Sequence, residues 1–433
     1  MEDLFLARAL MGISLGFHII YVAFGIGFPL LLLISEFQAL RTKNETYHRL
    51  ARGWTRPMTV LFAIGAVSGT ILSFELGLLW PVFMGFGGPM IGLPFWLEGF
   101  AFFIEAIFLG LYVYGEKRLS RRVLALVTIP ITLSSAASAV FVISANSWMN
   151  TPAGFDLLNG HAFNVRPWQA MTNTSWLHEA VHGTLATYVA SSFALSGIYA
   201  FRLLKGRLRA ENKLGLSLTL AVGGALIPLM LVSGDFAATE VAMHQPAKLA
   251  AMEALPETVR GAPLAIGGWI DQNTHQLRYG ILIPKMLSLL AYHDPDATVM
   301  GINAFPAGLR PNPNLVHTFF DLMIMSFFVM SAAAVWFWVA RWKGKEVSGN
   351  RPLLITILIS APFGLLAQEF GWFVTEFGRQ PWIAGGAMLV AKGVTPRPVA
   401  WVLIIFVLVY LALTIGLLKV LIAPSAPNEE DYR

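Results

Sequence analysis

Nine long apolar stretches divide this 433-residue chain and decide its solvent before any single residue is considered. They run at roughly 12–36, 55–80, 95–115, 122–146, 177–201, 214–233, 316–340, 352–375 and 398–422. Each is long enough to cross about 30 Å of hydrocarbon as a helix rising about 1.5 Å per residue. A solvated surface could not be built from this chain, for 56% of its residues are hydrophobic, 13% are charged and the mean hydropathy is +0.63. The expected fold class is an all-α integral membrane protein, nine transmembrane helices in one helical bundle, with residues 1–433 forming a single unit.

The basic residues orient the bundle, because short cytoplasmic loops collect Lys and Arg. The loops after spans one, three, five and seven carry Arg41, Lys43, Arg49, Arg52 and Arg56; Lys117, Arg118, Arg121 and Arg122; Arg202, Lys205, Arg207, Arg209 and Lys213; and Arg341, Lys343, Lys345 and Arg351. With Lys419 and Arg433 at the end, most of the 30 basic residues fall on one side, so the N-terminus is expected outside and the C-terminus in the cytoplasm. The net charge of +5 is then a topology signal, dispersed over loops rather than gathered on one face, and nucleic-acid binding is excluded. Glu2 and Asp3 precede the first stretch, which is too long for a cleaved signal core and is expected to stay as a span. The one long polar interruption, 234–315, belongs outside the membrane. Its Leu255, Ile266, Trp269 and Ile281 suit a folded flap better than a linker, and the chain closes after Pro424 in a short polar tail. There is no cysteine, which excludes disulfides, iron–sulfur clusters, thiolate metal sites and covalently attached haem.

Ionisable side chains inside hydrocarbon cost several kcal/mol unless paired or liganded, so the few present are informative. Span one holds His18; span three holds Glu98 and Glu105; span five opens with His178, Glu179 and His182; span seven opens with His317, Asp321 and Met323; span eight holds Glu369 and Glu376. Under the expected topology His18, Glu98, His182, Met323 and Glu376 all lie near the outer face, where unrelated core residues would scatter. Glu98 and Glu105 are separated by about 20° less than two full turns, so both project from one helix face about 10 Å apart, as proton-relay stations would.

Two motifs compete for attention. HEAVH, His178 to His182, matches H-E-x-x-H, whose two imidazoles share a helix face and could hold zinc with Glu179 as general base, and Asp235 or Glu240 could add a ligand. That reading, a zinc membrane protease, leaves His18, Met323 and the carboxylate pair without roles. A proton-coupled transporter using Glu98 and Glu105 is the third class. GFGGPMIG, Gly85 to Gly92, lacks the Lys and Ser/Thr of a phosphate loop and reads as a turn between spans.

With those residues in view, the chain resembles subunit I of cytochrome bd-type quinol oxidases over nearly its whole length. The most specific match is GRQPW, Gly378 to Trp382, preceded by GWFVTEF from Gly371. Others are FHIIYVAFGIG after Arg8, LEGFAFFIEAIFLGLYVYG on span three, ANSWMNTP from Ala145 and KLAAME from Lys248. The resemblance implies that His182 and Met323 are the axial ligands of a low-spin haem b. It implies that His18 and Glu376 are the proximal ligands of a high-spin haem b and a haem d or third haem b. Lys248 and Glu253 fall at quinol-binding positions in the outer loop, which is of the short kind. Glu98 and Glu105 match acids near the dioxygen site, with Glu105 and Ser138 on a proton path; Asn146, Trp372, Arg379 and Arg8 match residues of the haem pockets. Quinol would be oxidised at the outer face, and the protons for water would come from the cytoplasm without pumping. The implied partners are quinol, O₂, membrane lipid, a second membrane subunit and small single-span subunits, in a bacterial cytoplasmic (inner) membrane. The chain departs from the family in having Ser73 and Glu75 where an acid and then an amide are usual, and Asp321 where an Arg is often found.

Overall fold

A computed structural model describes residues 2–158, 160–271, 274, 276–394 and 400–422. Pro424, Arg433 and the first residues of the ninth expected span lie outside that range. Eight helices among the described residues are long and apolar enough to cross a membrane. They are α1 (Glu2–Thr42), α2 (Glu45–Leu79), α3 (Pro81–Gly115), α4 (Arg121–Asn150), α6 (Trp176–Leu204), α7 (Ala210–His244), α10 (Pro313–Trp342) and α11 (Arg351–Arg379). The ninth stretch is helical as well, α13 (Ala400–Ile422), with a shorter apolar run over Trp401–Leu417. Short helices fill the connections: α5 (Pro167–Met171), α8 (Pro246–Met252), α9 (Met286–Tyr292) and α12 (Val390–Gly393).

Helix starts follow local chemistry. Asn44, Ser120, Asn312 and Asn350 cap α2, α4, α10 and α11 by accepting hydrogen bonds from backbone N–H groups of the first turn, and Pro313 and Pro352 occupy first-turn positions that need no donor. Inside hydrocarbon, where backbone groups near prolines find no water, hydroxyls take over. Thr132 donates to the Pro29 carbonyl at 2.9 Å and Ser134 to that of Pro130 at 2.6 Å.

Two expectations are corrected. GFGGPMIG is not a turn, for α3 begins at Pro81 and carries Gly85 to Gly92 within its first turns. Proline at the helix start and apolar neighbours on both sides outweigh the glycines, which bilayer helices tolerate. The long polar interruption expected at 234–315 also starts later, because α7 continues through His244 and leaves 245–312 between α7 and α10. That segment is folded: α8, α9 and three two-stranded antiparallel ladders pack around a core of Leu249, Ala250, Leu255, Ile270, Leu287 and Ile302.

The basic loops gather at one end of the bundle, where ion pairs link Arg49 to Glu211, Arg52 to Glu116, Arg121 to Glu45 and Lys213 to Glu346. The folded segment caps the other end. Between them α6 is the most enclosed of the eight, packed on α1, α4, α7 and α11. Small residues let α6 and α11 approach, as bilayer helices require when lipid is as apolar as their side chains. A side-chain carbon on Gly364 would stand 2.7 Å from the Ala190 Cα. Gly364→Val should therefore force these helices apart at a cost of about 1–3 kcal/mol, read as a lower midpoint when heated detergent-solubilised protein is followed by size-exclusion chromatography.

Candidate functional site

One cavity of about 2490 Å³ runs through the bundle and beneath the folded segment, lined by residues of α1, α2, α3, α4, α6, α7, α8, α10 and α11. A single small-molecule site occupies ~300–1,000 Å³, so this cavity has room for several large groups. Arg8, His18, Glu98, Glu105, Ser138, Asn146, His182, Lys248, Glu253, Met323, Trp372, Glu376 and Arg379 all line it. Every site residue expected from the sequence is thus brought to one space.

The two imidazoles are held alike. His18 Nδ1 lies 2.8 Å from Ser68 Oγ, and that hydroxyl is 2.8 Å from the Ile64 carbonyl. A serine has one hydrogen to give; with it on the carbonyl, Nδ1 is the donor and Nε2 keeps its lone pair. His182 repeats the pattern, with Nδ1 3.0 Å from Ser233 Oγ and that hydroxyl 3.1 Å from the Met230 carbonyl. A neutral imidazole whose other nitrogen is tied down in this way is the form that binds a metal. Glycines leave space beside these groups: side-chain carbons on Gly69 and Gly371 would come within 3.2 Å of His18 Cε1 and 3.0 Å of Met323 Sδ.

Glu376 uses both carboxylate oxygens, accepting from Asn146 Nδ2 at 2.8 Å and from Arg379 Nη2 at 2.5 Å. Arg379 is buried, yet its Nε and Nη1 meet no partner among the described residues. A guanidinium with donors unspent beside a cavity fits an anionic substituent there, such as a haem propionate. The donor set, two imidazoles, a thioether and a carboxylate with an arginine at hand, fits haem iron without any thiolate.

Above this region Lys248 Nζ donates to Asn150 Oδ1 at 3.0 Å, and Asn150 Nδ2 donates to Glu179 Oε1 at 2.8 Å. Burial holds the Lys248 ammonium below the usual lysine value, against the opposing pull of Glu179. The Glu253 carboxyl, buried and with Oε2 unpartnered, is pushed up to about 8 by burial and by Asp321. His317 ties the segment down: Nδ1 faces the Met252 carbonyl at 2.7 Å and Nε2 the Gly267 carbonyl at 3.1 Å, with Asp321 Oδ2 3.4 Å from Nε2. Carbonyls only accept, so a ring nitrogen that carries a hydrogen donates to the carbonyl it faces, while Asp321 accepts from Gly267 N at 2.6 Å. Ser138 donates to Glu98 at 3.1 Å, and Glu105 lies buried one step further along the same face of α3.

HEAVH does not assemble a zinc centre. Glu179 turns to Asn150, His182 to Ser233, and among the described residues no three His, Asp or Glu gather as metal ligands. Sequence reasoning missed Ser68, Ser233 and Asn150, common polar residues on other helices whose meaning comes only from the imidazole or ammonium they touch.

The family model described as cytochrome bd terminal oxidase subunit I matches residues 6–426. A cytochrome bd menaquinol oxidase subunit I of Bacillus subtilis (strain 168) is 36% identical over all of this chain and 99% of its own length. The cytochrome bd-II ubiquinol oxidase subunit 1 of Escherichia coli (strain K12) is 28% identical over 87% of each chain. The solved bd oxidase of Geobacillus thermodenitrificans superposes with a TM-score of 0.92 over 97% of both chains, at 36% identity.

Asn150→Leu would strand Lys248 and Glu179 in a buried site at a cost of about 1–3 kcal/mol per unsatisfied group. The expected results are a lower thermal midpoint and a raised KM for quinol.

Proposed function

The chain belongs to the cytochrome bd terminal oxidase subunit I family and is part of a quinol:O₂ oxidoreductase of the respiratory chain, and from that premise we propose how its residues divide the work. It is a multi-pass membrane protein that works with haem, quinol, O₂ and a partner subunit. In our reading His182 and Met323 would both hold the iron of a low-spin haem b. His18 and Glu376 each hold one further haem, a high-spin haem b and a haem d or third haem b. The observation that carries this is the matched pair of imidazoles, each with Nδ1 spent on a serine and Nε2 left for the cavity they share. When bound, haem iron would supply one-electron chemistry and a place for O₂.

The protein's own groups do the rest. Arg379 donates to one oxygen of Glu376 and keeps donors for the cofactor's acidic edge; Asn146 fixes the other carboxylate oxygen; Trp372 and Arg8 wall the cavity. Lys248 and Glu253 bind quinol beneath the folded segment, and Glu253 in its carboxylate form accepts a proton from the quinol hydroxyl. Ser138 steadies Glu98, and Glu98 and Glu105 hand protons toward the dioxygen site from the side of the basic loops. We place the basic loops in the cytoplasm, the folded segment outside, α13 as a ninth span and the whole in a bacterial inner membrane, beside a second membrane subunit and small single-span subunits. Protons released outside and consumed from inside then generate a proton-motive force without a pump.

An optical spectrum of the dithionite-reduced oxidase should show low-spin haem b together with the O₂-reactive haems. Met323→Leu should remove the low-spin signature alone and stop quinol oxidation; an unchanged spectrum would refute the ligand assignment. Because the Glu253 carboxyl stands raised to about 8, it is protonated at neutral pH and ionises as pH rises through that value. Accordingly kcat/KM for quinol should climb across pH 7–9 in the native enzyme, and that limb should vanish in Glu253→Gln.

A further inference from the structure

Three titratable side chains that the electron path does not use lie together at the basic-loop end of the bundle. Glu36 on α1, His48 on α2 and Tyr112 on α3 are 1%, 2% and 1% exposed. The Glu36 carboxylate accepts from the Tyr112 hydroxyl and faces His48 Nδ1 at 2.8 and 3.0 Å, while His48 Nε2 is buried without a partner. Burying such a trio is costly, and apolar residues of similar volume would pack there without that cost. The surrounding charges are spent on each other: Arg52 on Glu116, Arg121 on Glu45, Arg49 on Glu211. None of these ion pairs includes a member of the trio.

Position makes the cluster informative. Tyr112, Glu105 and Glu98 follow one another at seven-residue steps, so they share a face of α3 at intervals of about 10 Å. Glu98 and Glu105 line the cavity, whereas Tyr112 lies beneath its floor, between Glu105 and the helix end. α4 packs antiparallel against that helix, and its Thr128, Thr132, Ser135 and Ser138 recur every three or four residues on one broad face. The first three are buried, and Ser138 reaches Glu98. Thr128, Thr132 and Ser135 donate to backbone carbonyls, Thr132 across to Pro29 of α1, so these hydroxyls and the α3 acids stand at helical intervals between the trio and the cavity.

We propose that Glu36, His48 and Tyr112 form a proton-loading site that takes protons from the basic-loop side and passes them along the α3–α4 seam to Glu105. His48 Nε2 accepts the proton, Nδ1 releases one to Glu36, and Glu36 returns to carboxylate as that proton leaves through the Tyr112 hydroxyl. One proton enters and one leaves, and no bond between heavy atoms changes. The proposal rests on Glu105 delivering protons to the dioxygen site, as argued above.

The test uses the assembled oxidase in proteoliposomes, with Glu36→Gln, Tyr112→Phe and Glu105→Gln. Three quantities are measured: anaerobic reduction of the haems by quinol, steady-state O₂ consumption, and proton uptake after an O₂ pulse. Glu36→Gln should slow O₂ turnover and proton uptake roughly ten-fold or more, with the spectrum, the KM for quinol and the anaerobic reduction unchanged. Tyr112→Phe, which keeps the ring and its packing, should slow the same two steps and decides the matter if Glu36→Gln does not assemble. Native turnover in Tyr112→Phe and in any assembled Glu36→Gln, with Glu105→Gln slowed, overturns the loading site and leaves the Glu105 path standing. Native turnover in all three overturns both.

Discussion

Hydrocarbon offers no water to a buried imidazole, carboxylate or ammonium, and the arrangement of this bundle follows from how each of them is answered. His18 and His182 are each tied through Nδ1 to a serine on a neighbouring helix. Glu376 is answered by Asn146 and Arg379, and Lys248 and Glu179 by one asparagine between them. These partners come from α2, α4, α7 and α11, so satisfying the polar groups and holding the helices in register are one task. Groups left unanswered include the donors of Arg379 and the free oxygen of Glu253 at the cavity, and His48 Nε2 at the basic-loop end.

Much of this could be read from the order of residues. Hydropathy located the eight long helices because a bilayer imposes length and apolarity on anything that crosses it. The residues that line the shared cavity were legible because ionisable groups in such stretches are rare and GRQPW is distinctive. Legibility failed where chemistry is local or shared. Gly85 to Gly92 read as a turn because glycine loosens a chain in water, whereas in a bilayer the helix is what satisfies the backbone. The end of α7 was set eleven residues early because Asp235, Glu240 and His244 make its last turns polar, although those turns carry on to the folded segment. Ser68, Ser233 and Asn150 could not be singled out, since nothing in a one-dimensional string marks which serine faces which histidine.

Two separate polar systems emerge, one at each end of the bundle. At the capped end stand the groups proposed to hold substrate and cofactor, with Lys248 and Glu253 in the folded segment and the proposed iron ligands beneath. At the basic-loop end Glu36, His48 and Tyr112 have no ligand to hold, and their geometry suits movement of a proton better than binding. Between the two, α3 and α4 supply acids and hydroxyls at helical repeat. The proposed charge separation without pumping needs its electron donor and its proton source on opposite faces, and this distribution of side chains is compatible with both.

The His317 clamp has a mechanical meaning. Its two nitrogens hold the folded segment to α10, and six residues further along the same helix, about 9 Å, stands Met323. A rigid helix cannot yield at one point and stay still at the other. Any shift of the folded segment is therefore felt at the sulfur, and any force on the sulfur is returned to the segment. On the proposed reading, in which quinol meets the segment and Met323 holds a haem iron, reciprocity would make the two effects equal in free energy. Affinity for the fuel and electron affinity of the haem would then be set by one lever.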